Sequence, residues 1–558
     1  DLYTRMAYVR ENHWKLTHLL NYNQTFYKHD IGMLLGFEEE RFVKRTTDTA
    51  KLGLIDSSVG DPSSATTPSS IGGTGEEFTS RSYFGRINYA FDSRYLFEVN
   101  MRYDGSSRFP SGNRFGFFPS MSAGYRISEE PFMQSLKPYL STLKIRGSWG
   151  MIGNQDVGTD RYISTLSTSV DSWIIDGKKV QSTQKPTIVS STLTWEKVTT
   201  LDLGLDARFF NDALGVTFDW YNRTTSDILT TANLPATLGA DAPYENMGTI
   251  QTKGWELAID YRHTFKNGLH FGVTASVADD KTEVTKWTYN TKIPSYGATG
   301  WWDKSAYKEG MVLGDIWGLQ FDRFLTEDDF NADGSLKAGL PDQTKVFPAG
   351  YQFAPGDVLY KDLDNNGEIV KQTNTNDKGD LSVIGNALPR LQFGLNLDAA
   401  WKGFDISMFF QGVAKRKLWA AGNQVLPGFT TGEPFYKGAE DYWTPENTDA
   451  FYPRPMDYKQ SASGNYSVND RYLLNMAYLR LKTFTVGYSL PKVWLSKFKV
   501  QGLRVYFTGE NLFTIDGVKP AIDPEIGIRT ASGKSDQRNF GRSYPYQKTV
   551  SFGIQLSL

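Results

Sequence analysis

The chain closes on an unbroken alternation of apolar and polar positions. Val550, Phe552, Ile554, Leu556 and Leu558 take one parity, and Thr549, Ser551, Gly553, Gln555 and Ser557 take the other. Side chains on a strand alternate between faces, so this segment has one greasy and one wet side. The same pattern recurs along the chain. It marks Trp14 to Phe26, which turns at Lys28-His29-Asp30 into Ile31 to Phe37. Tyr83 to Phe91 turns at Asp92-Ser93-Arg94 into Tyr95 to Tyr103, and Met121 to Ile127 leads through a short helical connection to Leu143 to Met151. Leu201 to Phe209 pairs with Leu214 to Trp220, Trp255 to Tyr261 with Leu269 to Val277, and Leu391 to Trp401 with Phe404 to Phe410. Leu479 and Leu481 change phase to Phe484, Val486 and Tyr488, which predicts a β-bulge near Lys482-Thr483. Leu503 to Phe507 and the terminal strand complete a count of fifteen.

Short connections follow the odd-numbered strands. Long ones are expected at 39–80, 104–117, 155–200, 229–253, 282–389, 416–477 and 513–546. Short turns at one end and long loops at the other are the mark of an outer-membrane barrel, with periplasmic turns and extracellular loops. Only helices and closed barrels satisfy their backbone inside lipid. A soluble two-sheet sandwich would show the same alternation, with its apolar faces meeting each other. Three features favour the membrane: the length of the strands, the short/long rhythm, and aromatic residues beside the short turns, such as Phe91/Tyr95 and Trp401/Phe404. An odd count also carries information. The first and last strands would run the same way and could not pair antiparallel. The expectation is therefore an odd number of further strands on the N-terminal side, with residues 1–12 the tail of an extracellular loop.

Composition agrees. Of 558 residues 39% are hydrophobic and 14% aromatic, with 52 glycines, and no window approaches the run of roughly 18 apolar residues of a membrane helix. Sixty basic against 62 acidic residues, a net charge of −2, carry no signal for nucleic acid. The absence of cysteine excludes disulfides and thiolate metal sites. The start, Asp1-Leu2-Tyr3-Thr4-Arg5-Met6, has neither initiator Met nor leader, so a leader was removed or the chain is a piece of something longer.

Several stretches resemble one family, the SusC/RagA-like TonB-dependent transporters of Bacteroidetes-type outer membranes. They are Arg102-Tyr-Asp-Gly-Ser-Ser-Arg108-Phe-Pro, Phe118-Pro-Ser-Met-Ser-Ala-Gly-Tyr125-Arg, Thr200-Leu-Asp-Leu-Gly-Leu-Asp206, Asn246-Met-Gly-Thr-Ile-Gln-Thr-Lys-Gly254-Trp-Glu and Gly385-Asn-Ala-Leu-Pro-Arg390. Tyr442-Trp-Thr-Pro-Glu-Asn447, Tyr478-Leu-Arg-Leu-Lys482, Val486-Gly-Tyr-Ser-Leu-Pro491 and Gly509-Glu-Asn-Leu-Phe513 follow in order. The resemblance implies an all-β transmembrane antiparallel barrel, of which residues 1–558 supply about fifteen of an expected 22 strands, with a lumenal plug N-terminal to this chain. It also implies TonB as partner through that missing region, the missing plug and N-terminal strands themselves, a SusD-like lipoprotein lid, outer-membrane lipid around the barrel, and a dimer of transporter–lid pairs. The chain departs from many outer-membrane proteins by ending on Leu558 rather than an aromatic residue; Phe552 is the nearest.

Candidate chemistry is sparse. Asp362-Leu-Asp364-Asn-Asn366-Gly367-Glu368 matches the first half of a calcium loop, with oxygens at alternate positions and Gly at the turn. The position for a bidentate Glu holds Thr373, and Asp377 or Asp380 is the alternative ligand; an ion-free Asx turn is an equal reading. His13, His18, His29, His263 and His270 are scattered and read as isolated strand or turn residues. Carboxylates such as Asp202 and Asp206 recur because one strand face is polar, and no nucleophile–base set stands out, so no enzyme is expected. Gly72-Gly-Thr-Gly75 lacks a following Lys-Ser/Thr and reads as flexible loop, not a phosphate cradle. Trp301, Trp302, Tyr307, Trp317, Phe435, Tyr436, Tyr442 and Trp443 fall in the longest loops, placed to stack on ligand or partner, or equally to pack the loops on themselves. The expected function is TonB-dependent import of oligosaccharides or oligopeptides. A passive porin and a soluble β-rich glycan-binding protein are the alternatives.

Overall fold

In the computed structural model the described residues are 2–54, 56, 58–183, 185–231, 242–288, 307–374, 377–420, 422–429, 435–456, 464–495, 500–519, 522–525 and 544–557. Fifteen strands form one antiparallel sheet in chain order. They are β1 (Tyr3–Phe26), β2 (His29–Leu54), β3 (Ala65–Phe91), β4 (Tyr95–Ser106), β5 (Phe115–Arg126), β6 (Leu140–Asn154), β7 (Glu196–Phe209) and β8 (Leu214–Ser226). Then come β9 (Thr249–Thr264), β10 (His270–Lys286), β11 (Arg390–Trp401), β12 (Phe404–Lys415), β13 (Tyr478–Ser489), β14 (Gly502–Asp516) and β15 (Thr549–Ser557). Among the described residues helix is limited to single turns, the connection between β5 and β6 being two 3-10 turns at Ile127–Glu129 and Pro131–Leu136. Where two residues join strands, turn chemistry decides the geometry. Lys402 and Gly403 between β11 and β12 both have positive φ, 47° and 89°, as a tight hairpin matching the strand twist requires.

The chain divides into two units by its internal contacts, residues 1–130, 145–203 and 223–249, and residues 131–144, 204–222 and 250–558. In the first, the apolar parity of the strands is the exposed one. Leu35 on β2 is 62% exposed, and Phe97, Val99, Met101 and Met121 lie open on β4 and β5. A sandwich would bury this face. Its vertical extent is bounded twice by aromatic pairs on β4 and β5: Tyr95 stacks on Tyr125 at 5.0 Å and Tyr103 on Phe115 at 4.9 Å. Eight residue steps on β4 separate them, about 27 Å of strand, the length needed to cross a hydrocarbon layer about 25 Å tall at a tilt. On β1–β3 the same outward face turns charged at the long-connection end, where Arg81 pairs with Glu39 at 3.1 Å and Arg41 with Glu77 at 2.8 Å. The second unit repeats the pattern. Phe404, Val505, Phe552 and Ile554 are exposed, Phe552 at 82%.

The phase change at Lys482 is present. The β13–β14 register shifts between Leu481 and Thr483, and the β12–β13 register between Phe409 and Phe410. Three expectations are corrected. Residues 39–80 are not a loop: β2 and β3 run 26 and 27 residues and leave only 55–64 as connection. Residues 3–12 belong to β1, paired from Tyr3 opposite Leu52, rather than to a loop. Gly72-Gly-Thr-Gly75 lies within β3, with Gly75 opposite Arg45. Apolar alternation ends at the belt edge, so a hydrophobic pattern cannot report this extension. Backbone ladders and cross-strand polar pairs hold it instead, the ion pairs Arg5–Asp48 and Lys44–Glu11 and the hydrogen bond between His13 and Glu40, each at 2.7 Å. Exposed pairs of this kind contribute only about 0–1 kcal/mol each, so the ladder carries most of the stability.

Apolar cores lie in the long connections rather than inside the sheet. In the first unit Phe109, Phe118 and Leu193 enclose Trp195, whose indole N–H donates to the Arg114 carbonyl at 2.8 Å. In the second unit, one cluster gathers Trp419, Leu426, Tyr452 and Tyr472, and another gathers Leu319, Val358, Tyr360 and Trp443. The described parts of the 307–374 and 416–477 connections are thus folded around apolar cores.

Met121 sits opposite Val99 near mid-belt, and the adjacent Ser122 faces the other way opposite Glu98. Met121→Arg is expected to destabilise the assembled protein by about 2–4 kcal/mol, and Ser122→Arg by far less, in urea titrations from lipid vesicles. Equal effects would contradict the lipid-facing assignment.

Candidate functional site

The polar parity of the strands builds two concave walls. In the first unit a cavity of about 430 Å³ is lined by Glu98, Asn100 and Arg102 of β4, Ser120 and Ser122 of β5, and Ser148 of β6. Asn100 donates to Glu98 at 2.7 Å, and Arg102 reaches Asp104 through two bonds of 3.0 and 3.1 Å. In the second unit a cavity of about 550 Å³ is lined by Asp219, Glu256, Ser276, Gln392 and Gln411, with the Phe393 ring lying over Gly412. Hydroxyls, amides and carboxylates of this kind form exchangeable hydrogen bonds to sugar hydroxyls or peptide groups. They offer no nucleophile activated by a base. The histidines stay dispersed: His13 meets Glu40, His29 meets Tyr89, and His270 meets Asp398.

A third concavity belongs to the long connections of the second unit. Phe435, Tyr436, Tyr442 and Tyr452 with Pro427, Pro453 and Pro455 line a cup of about 410 Å³, and Lys437 and Glu440 add charge at its wall. The aromatic residues expected to serve ligand or partner therefore separate. Tyr442 is exposed in the cup, together with Phe435 and Tyr436. Trp443 is buried in a loop core, Trp317 packs against that core, and Tyr307 is buried beside Trp287. Trp301 and Trp302 lie outside the described residues.

Buried polar ties hold the cup and its surroundings. The fully buried Asp357 accepts from Tyr351 Oη at 2.8 Å, Arg454 Nε at 2.8 Å and Asn465 Nδ2 at 2.9 Å, while Asn465 Oδ1 accepts the Val358 N–H at 2.8 Å. Burial, then Asp357, push the Tyr351 phenol well above its usual range. On β13 the 3% exposed Arg480 pairs with Asp523 at 2.6 Å and with Glu525, which also takes Lys482 at 3.1 Å. This ties the 522–525 segment to the strand. The partners lie tens of residues apart in sequence, and no local spacing announces them. The resembling motifs supply several of these clasps. Asn386 binds the Leu313 carbonyl at 2.9 Å, Arg390 holds Asp279 through bonds of 2.5 and 2.7 Å, and Asn246 bridges Thr194 and the Asp227 carbonyl at 2.8 Å.

The acidic turn takes a different form from a calcium loop. Asp362, Asp364 and Asp380 bring carboxylate oxygens within 4.8 Å of one another. Glu368 instead pairs with Lys345, and the Asn366 side chain is used locally, donating to Asp364 and accepting the Glu368 N–H. Asp380 was the alternative ligand from sequence, and it is buried, accepting the Leu363 and Val370 N–H groups at 2.8 and 2.7 Å. Desolvation first, then the neighbouring Asp380 and Asp362, raise the Asp364 carboxyl. The cluster is an oxygen-rich knot whose charges repel unless a proton or cation intervenes.

The chain matches the "TonB dependent receptor-like, beta-barrel" family over residues 3–353. It is 27% identical over 553 residues to TonB-dependent receptor P3 of Formosa agariphila, covering 96% of this chain and 51% of that protein. It is 27% identical over 494 residues to TonB-dependent receptor SusC of Bacteroides thetaiotaomicron, covering 86% and 43%. The chain thus spans about half the length of the curated relatives it matches. Among solved structures it resembles the RagAB peptide transporter in fold, with a TM-score of 0.75 at 22% identity over 99% of this chain and 56% of that one.

Two outcomes follow from the ties. Arg454→Ala leaves Asp357 buried without its cation and is expected to cost about 3–5 kcal/mol locally, seen as faster proteolysis of the 435–456 segment in folded protein; unchanged cleavage would contradict the tie. Hydrogen bonds from Arg323 above all hold the Asp329 carboxyl down at about 2. Its folded value lies below its unfolded one, so its stabilisation is complete above about pH 4 and is lost as pH falls towards 2. Amide exchange around 323–330 is expected to accelerate over that window, and Asp329→Asn to flatten the dependence.

Proposed function

The chain belongs to the TonB-dependent receptor β-barrel family of the outer membrane, and we propose that it supplies lumenal wall and outer loops to an active importer of oligosaccharides or oligopeptides. The observation that carries this reading is the pairing of hydrogen-bonding walls on the polar strand faces with folded, aromatic-lined long connections. A wall of hydroxyls and amides gives weak, exchangeable contacts that let a polar solute pass. An aromatic cup adds stacking on sugar or peptide faces. In this reading the short turns face the periplasm and the long connections face outward. A SusD-like lipoprotein covers the outer loops, and TonB supplies energy through the part of the protein that precedes this barrel segment. The relatives' names, a TonB-dependent receptor called SusC and a peptide transporter called RagAB, support TonB-dependent import, and only the second names a cargo, peptide. We also carry calcium at Asp362, Asp364 and Asp380 as a proposal; it would stiffen the loop and relieve the repulsion there.

The test is uptake of labelled oligosaccharides and oligopeptides by cells making the complete transporter. Uptake is expected to stop when TonB is lost or the proton gradient collapses. Uptake that persists would identify a passive pore. Tyr436→Ala with Tyr442→Ala is expected to weaken the apparent affinity about tenfold, or 1.4 kcal/mol, without loss of barrel assembly. Calcium titration calorimetry is expected to show one site that Asp380→Asn removes and Glu368→Gln leaves intact; no heat, or loss with Glu368→Gln, would reject the ion.

A further inference from the structure

The outward face of β1 and β2 carries a further, unassigned cavity beyond the apolar belt. Arg10, Asn12 and Trp14 of β1 and Arg41, Val43 and Arg45 of β2 line a space of about 300 Å³. The strand parity places these residues on the face of Leu16, Leu20, Tyr22, Met33 and Leu35, the lipid-facing row. Arg10 stands directly opposite Arg45, and Trp14 directly opposite Arg41. Like charges opposed across a ladder are destabilising. Among the described residues neither Arg10 nor Arg45 has an ion pair or side-chain hydrogen bond. The other charges on this face are already matched. Glu77 takes two bonds from Arg41 at 3.0 and 2.8 Å, and Glu39 takes Arg81 at 3.1 Å. Two positive charges remain unanswered, Arg10 four residues beyond Trp14 on β1 and Arg45 opposite it on β2.

The neighbouring strand makes room for the Arg45 side chain. Gly75 of β3 lies opposite Arg45, and a Cβ there would come within 2.5 Å of the Arg45 guanidinium. Gly73 follows on the same face, opposite Thr47. The glycine run that is no nucleotide cradle thus lets the Arg45 guanidinium lie over β3. Guanidinium groups recognise phosphate by paired N–H donors. Trp14 sits at the belt edge, where indoles lodge at the headgroup level. We propose that this cavity binds the phosphate of a membrane-lipid headgroup, with the lipid chains running down the Leu16, Leu20 and Leu35 row. Position selects the lipid over a soluble anion: the cavity opens on the face that meets lipid, and its lower rim is the hydrocarbon belt itself.

Native mass spectrometry of the complete transporter in detergent tests this, with phosphatidylglycerol as ligand, chain-matched diacylglycerol lacking the phosphate, and inorganic phosphate as the soluble arm. Wild type is expected to retain phosphatidylglycerol. Arg10→Gln with Arg45→Gln is expected to retain at least tenfold less, and to melt no lower than wild type because a like-charge pair is gone. Gly75→Val, which displaces the Arg45 guanidinium without removing charge, is expected to weaken retention as well. Arg5→Gln, on the opposite face with Asp48 as partner, is expected to leave it unchanged. Retention by the double variant equal to wild type, equal retention of diacylglycerol, or inorganic phosphate binding as tightly as the lipid would each overturn the proposal.

Discussion

Lipid offers no hydrogen bonds, and most of this structure follows from that constraint. A strand inside hydrocarbon must pair on both sides along its crossing length; the thirteen inner strands do so in simple chain order, while β1 and β15 each pair on one side. Because the ladder consumes the backbone, the side chains are left to divide by parity. One parity meets lipid and is apolar and exposed; the other lines the interior and is polar. Cores of the usual kind then have only one place to form, the long connections, and that is where Trp419, Tyr472, Tyr360 and Trp195 are buried.

This division explains which features were legible in sequence. The belt was, because a period-two pattern of Phe97, Val99, Met101 and Tyr103 has one geometric meaning. The bulge at Lys482 was, because a single extra residue flips every later side chain. The strand extensions were not. Beyond Glu39 and Arg81 no hydrocarbon constrains the side chains, so Thr, Ser and Gly fill β2 and β3 and the segment reads as loop. The polar ladder Arg5–Asp48, Lys44–Glu11 and His13–Glu40 becomes recognisable only once the register is known.

The candidate sites divide along the same line. Tyr442 and Trp443 are neighbours in one motif, yet one opens into the aromatic cup and the other fills a core. Adjacent residues on irregular backbone have no fixed parity, so sequence gave no basis for separating them. The acidic turn was recognised from its Asx pattern, but the third carboxylate came from Asp380 because the chain folds back there, while Lys345 drew Glu368 away. Asp357 with Arg454, and Arg480 with Asp523, are long-range pairs between connections. They tie Asp357 to the segment that carries Arg454, and Asp523 to β13, and so limit how far the described parts of these connections can move.

The central claim is that odd-numbered positions of β4 face lipid and even-numbered ones face the interior. A spin-label scan from Tyr95 to Ser106 in lipid vesicles measures it directly, comparing collision with oxygen, which concentrates in hydrocarbon, against collision with a water-soluble nickel chelate. Strong oxygen access at Phe97, Val99 and Met101, alternating with chelate access at Glu98, Asn100 and Arg102, is the expected result. Access that does not alternate, or chelate access at both parities, would contradict the membrane-spanning arrangement.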